Sequence, residues 1–155
     1  MKKTAAKSLC MAALWLLCML TACTSTKTTI SQNANLEKYE YASIINDDTY
    51  HIPAELMEYE IKMFDAVEMS GLRLVSDRRI RELAPQQRER LMIVKYGVSF
   101  GEEVTTVTVN FIDYMTGRPV VSCKGSCVSV GISHGADLEG AIKLVAKEIS
   151  KTFKN

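Results

Sequence analysis

The chain is poor in the residues and runs that announce most chemistries. It holds two histidines, His51 and His134, and has no His-Glu-x-x-His pair or glycine-rich phosphate loop. The spacings of a zinc peptidase and a P-loop nucleotide site are therefore missing. Basic and acidic side chains nearly cancel, at +1 overall, so no positive excess points to nucleic acid. No apolar run reaches the roughly 20 residues that cross a bilayer as a helix. The longest, residues 9–20 (LCMAALWLLCML), has twelve. Cysteine is scarce too, with five in all, which excludes a disulfide-built scaffold.

What is present begins at the amino terminus. Lys2, Lys3 and Lys7, with no acid among them, precede the apolar run, which ends in Leu20-Thr21-Ala22-Cys23. A basic segment, an apolar core and small residues before a cut are the three parts of a secretory signal. Small residues directly ahead of a cysteine resemble the lipobox of bacterial lipoproteins. That resemblance implies a diacylglyceryl group on the Cys23 thiol, cleavage before Cys23 and acylation of the freed amine. More than one acyl chain anchors stably, at about 0.8 kcal/mol per buried methylene. Residues 24–27 (TSTK) lack the aspartate that retains enteric lipoproteins at the inner membrane. The expected location is the outer membrane, facing the periplasm.

Removing residues 1–22 as signal peptide leaves 133, the size of one domain. Three lysines leave with them, so 16 basic side chains face 18 acidic ones. Residues 23–36 are polar and short in side chain, which reads as a flexible tether. Residues 37–155 read as a single α+β domain.

Within that domain, residues 39–45 are aromatic and β-branched and stop at Asn46-Asp47-Asp48, a strand and its turn. Pro53 opens a helix with Leu56, Tyr59, Met63 and Val67 as its spine and Met57, Ile61 and Phe64 widening the apolar arc, closed by Ser70-Gly71. Residues 72–75 form a short strand. Residues 77–90 are charged, with Ile80 and Leu83 as core candidates. From Leu91 the period becomes two. Val94, Tyr96, Val98 and Phe100 alternate with polar residues, then Val107, Val109 and Phe111, then a strand over 119–132, giving an antiparallel meander. In the last strand the inward parity slips between Cys123 and Val128, with Val130 and Ile132 continuing the new parity, so an extra residue is expected, with Gly125 as the bulge. Asp137 is the expected cap of a closing helix with Leu138, Ala141, Ile142, Val145, Ala146 and Ile149 on one stripe. The fold class is α+β, an antiparallel-rich mixed sheet of about five strands with two amphipathic helices on one face.

The turn Asp113-Tyr114-Met115-Thr116-Gly117, within residues 111–120, followed by Gly125 and a helix over 138–153, resembles small bacterial envelope lipoproteins of uncharacterised families with a TolB amino-terminal-like α/β fold. The resemblance implies an accessory role in the envelope and brings no catalytic residue with it.

Candidate chemistry is thin. Cys123, Cys127 and His134 lack a fourth ligand, and Cys-x3-Cys on an alternating strand is poor zinc spacing, so no metal or cofactor is expected. The two thiols are expected to be separate, because four strand residues span about 13 Å and a disulfide needs Cα atoms within about 7 Å; the oxidising compartment favours the bond instead. Neither Ser126 nor Ser133 is expected to be a nucleophile, and His51 beside Asp47 and Asp48 reads as a solvated turn. Arg73, Arg78, Arg79, Arg81, Arg88 and Arg90 form the one basic cluster, a solvated segment or a contact for anionic headgroups. The expected function is a non-enzymatic envelope protein, held by lipid on Cys23, that binds a protein partner or itself through an edge of the sheet. The alternative is a hydrolase or ligand-binding protein with an unrecognised site.

Overall fold

A computed structural model describes residues 24–45, 54–128 and 134–154. The expected signal peptide, Cys23, the turn at residues 46–48, His51, Pro53, Val130, Ile132 and Ser133 lie outside the described residues. Strand β1 is Thr24–Ile30 and β2 is Tyr41–Ile44; helix α1 is Ala54–Glu68 and β3 is Arg73–Leu74. A 3-10 helix, Asp77–Glu82, and a short helix α2, Pro85–Arg88, lead to β4, Leu91–Phe100. Then follow β5, Val104–Asp113, β6, Pro119–Val128, and the closing helix α3, His134–Phe153.

The sheet has six strands in the order β1-β6-β5-β4-β2-β3. It is mixed: β2 lies parallel to β3 and β4, and the other pairs are antiparallel. The α+β class, the antiparallel-rich sheet and the two long amphipathic helices agree with the periodicities of the chain. Alternation on β5 puts Val107, Val109 and Phe111 inside, fully buried, against Met63, Ala66 and Val67 of α1 and Ala141, Val145 and Ile149 of α3. Phe111 stacks at 4.8 Å, tilted, on Phe153 at the end of α3. The first half of β4, from Leu91 to Val94, is buried on both faces, because Ile80 and Leu83 cover Leu91 and Ile93 from the side opposite the long helices.

Five expectations change, the first being that Asp137 does not cap the closing helix, which starts at His134 and holds Asp137 within its first turn. Residues 24–30 are not tether but strand β1, paired with β6 from Thr24↔Cys127 to Ile30↔Val121. Threonine is β-branched and suits an extended backbone. Both threonines facing α3 are tied to Glu148, Thr26 at 3.1 Å and Thr28 at 2.9 Å, so the strand is held by polar bonds rather than by apolar burial. Gly125 is not the bulge. The register slips where Ile112 faces Pro119 and Phe111 faces Val121, so Val120 is the extra residue. Gly125 is instead where α3 crosses β6, and a Cβ there would stand 2.5 Å from the Ala141 carbonyl oxygen and 2.7 Å from the Val145 nitrogen. Met57, Ile61 and Phe64 do not enter the core but are exposed. Val98 and Phe100, expected inside, are exposed as well, because β2 accompanies β4 only as far as Val94.

Candidate interaction surface

The outer side of β1 is an edge, with no neighbouring strand among the described residues. Ser31 donates inward to the Val120 carbonyl at 2.9 Å. Alternation along an antiparallel strand then turns the backbone groups of Ser25, Lys27 and Thr29 toward β6 and those of Thr24, Thr26, Thr28 and Ile30 outward. The outward donors and acceptors of these four residues are a template for another strand. The opposite edge, β3, has two residues.

The sheet face away from the long helices carries Lys27, Lys95, Thr106, Thr108 and Lys124. Lys27 stands directly opposite Lys124, two like charges side by side. Thr106 and Ser126 share a hydroxyl hydrogen bond at 3.0 Å, and Ser122 donates to Asn110 Oδ1 at 2.7 Å. Ser126 is therefore a buried member of a hydroxyl ladder.

The most organised polar group is Asp113, at the other end of β5. Its Oδ2 accepts from Lys38 Nζ at 2.9 Å and Tyr39 OH at 2.7 Å. Its Oδ1 accepts from the Thr116 amide at 2.7 Å and hydroxyl at 2.9 Å. Gly117, at φ +68°, closes the turn, and this is what the Asp-x-x-Thr-Gly spacing serves. Burial would raise the Asp113 carboxyl, yet the Lys38, Tyr39 and Thr116 donors outweigh it and hold it well below the usual range. Burial, then the Asp113 carboxylate, pushes the Tyr39 phenol well above its ordinary value. A carboxylate shifted downward is a weaker base, so this group is a brace between the β5–β6 turn and the segment that leads into β2.

Cys123 is buried, Cys127 is half-buried, and both are free thiols on an uninterrupted strand. Burial pushes the Cys123 thiol up, away from the reactive thiolate. Among the described residues no three His, Cys, Asp or Glu side chains gather as a metal site would require. One spacing escaped the sequence reasoning: Gly131-Ile132-Ser133-His134-Gly135 does fit G-x-S-x-G. A nucleophile elbow of that kind follows a strand of an α/β-hydrolase sheet. Here β6, the strand before it, is antiparallel to both of its neighbours, and Ser133 lies outside the described residues.

The arginines do not form one patch. Arg79 pairs with Glu82 at 2.9 Å, Arg90 pairs with Glu40, and Arg73 lies 5.8 Å over the Tyr41 ring. Tyr41, Arg73, Arg79, Glu82 and Gln87 line a shallow groove of about 430 Å³ on the β3 side.

No protein-family model and no curated protein matches the chain. Solved structures do share its fold. The PelC dodecamer of Paraburkholderia phytofirmans superposes with a TM-score of 0.51 at 16% identity, over 82% of this chain and 95% of that one. A PelC variant, also a dodecamer, gives 0.52 at 20%, over 81% and 96%. A PDZ domain protein of Parabacteroides distasonis gives 0.51 at 11%, over 92% of this chain and 40% of that chain. Likeness at these identities concerns the fold alone.

Proposed function

We propose that this chain is a non-enzymatic interaction protein of the cell envelope, acylated on Cys23, held at the outer membrane and facing the periplasm. It binds a protein partner, or further copies of itself, by strand addition at β1. The observation that carries this reading is the place of β1: a strand with an open outer edge starts at Thr24, one peptide bond from the cysteine of the lipobox. An edge strand attached to a membrane without slack presents its backbone donors in a fixed direction, and main-chain pairing gives affinity without a pocket. That PelC, which has the same fold, is a dodecamer supports self-association as one form of this contact.

The test replaces the outward-facing backbone donor of Thr26. Thr26→Pro in the acylated protein removes an outward N–H and keeps the inward ladder, while Thr26→Val controls for the lost hydroxyl bond to Glu148. Detergent-solubilised envelope, captured through a carboxy-terminal tag, should yield the partner or higher oligomers from wild type and Thr26→Val and lose them with Thr26→Pro. Normal recovery with Thr26→Pro, together with loss when the arginines of residues 77–90 are replaced, would make the basic segment the working surface instead.

A further inference from the structure

We infer that the end of the sheet that carries Thr24 is seated in the bilayer, with Phe100 entering the headgroup layer as a second, protein-borne membrane contact. The inference rests on the proposed acylation of Cys23. Trans peptide geometry keeps the Cα atoms of Cys23 and Thr24 about 3.8 Å apart, so the lipid level is fixed close to the first residue of β1. The strand registers carry that level across the sheet: Thr24 faces Cys127, Cys127 faces Thr105, and Thr105 faces Phe100. Phe100 thus stands in the same row, three strand spacings or about 14 Å from Thr24.

At that level the Phe100 side chain is 56% exposed, and Val98 on the same face of β4 is 38% exposed. Helix α1 returns antiparallel to β2, and β2 runs parallel to β4, so the start of α1 comes to this end and brings Met57, 49% exposed. Apolar and aromatic side chains beside an acyl anchor have a bilayer within reach at all times, and interfacial burial offsets their exposure. Beyond Phe100 the turn carries Glu102 and Glu103, both exposed. Arg90 lies ten residues before the end of β4, about 33 Å away along the strand. The seated end is therefore acidic at its tip and suits a zwitterionic bilayer with ammonium headgroups, such as phosphatidylethanolamine, over an anionic surface. It also carries Arg88 and Arg90 away from the membrane.

Loss of residues 1–22 removes Trp15, the chain's sole tryptophan, so Phe100→Trp supplies a single fluorescent reporter. The acylated mature protein is reconstituted in phosphatidylethanolamine and phosphatidylcholine vesicles carrying lipids brominated at graded depths, and intact mass reports the acyl chains. Bromines near the headgroups should quench Phe100→Trp at least about two-fold, and should leave Met115→Trp, beyond the far end of β5, unquenched. An acylated Phe100→Trp protein that is unquenched overturns the inference, as does equal quenching at both positions, which would mean that the sheet lies flat. A mass without acyl chains overturns the anchor instead, and quenching that persists in such a protein supports the contact on its own.

Discussion

At Gly125 one hydrogen atom sets how closely α3 lies on the sheet. A methyl group there meets helix backbone, the Ala141 oxygen and the Val145 nitrogen, and neither can turn aside as a flexible side chain would. Gly125→Ala should lower the unfolding free energy by about 1–3 kcal/mol, read from urea midpoints, whereas Gly97→Ala, with open space around its Cβ, should stay within about 0.5 kcal/mol. Asp113 is tested through pH. Its folded-state pKa is depressed, so its stabilisation is fully present above the unfolded value near about 4 and is lost as pH falls through the folded value. Asp113→Asn should cost about 2–3 kcal/mol near neutrality and converge on wild type in acid. A variant gap that stays constant from pH 7 to pH 2 would show that the charge contributes nothing. Tyr39 has the opposite sign: its raised value keeps its contribution present below about pH 10, to be lost as the phenol ionises.

Among the elements, those that bury apolar residues at a fixed period were legible in the sequence. The meander of β4, β5 and β6 and the stripe of α3 each carry their own local signal, and the structure bears both out. Strand β1 carries none. Its stabilising contacts are hydroxyl bonds to a carboxylate about 120 residues away and a backbone ladder with β6, so its composition resembles that of a linker. Gly125 was ambiguous for a related reason: a missing side chain serves a bulge and a close helix approach equally well. For α1 the sequence shows an apolar arc but not how much sheet lies beneath it, and β3 is only two residues long. Ile61→Glu, at 61% exposure, should therefore change stability by less than about 0.5 kcal/mol, while Met63→Ala, on the buried side, should cost about 2–5 kcal/mol. Comparable losses in thermal melts of the two variants would return the Ile61 face to the core. Of the candidate surface, an exposed sheet edge was expected from the meander, and its formation by β1 was not.

For the whole molecule, the proposed anchor and the sheet act as one body. Cys23→Ser should abolish acylation and release the domain from the membrane fraction, and labelled palmitate entering that variant would remove the anchor from Cys23. Release should leave the fold intact, because the bonds from Thr26 and Thr28 to Glu148 are made within the domain.

The pairing of β1 with β6 also orders events in time. Thr28 touches Cys123 across 95 residues of chain, so β1, made first, waits for almost the last strand before the sheet can close. Long-range pairing of this kind is slow relative to local structure. If Cys23 is acylated as proposed, the time before β1 pairs with β6 is when the processing enzymes would act. Once β6 arrives, β1 is drawn into the sheet from Thr24 onward. On the proposed reading, maturation and folding would then compete for neighbouring residues.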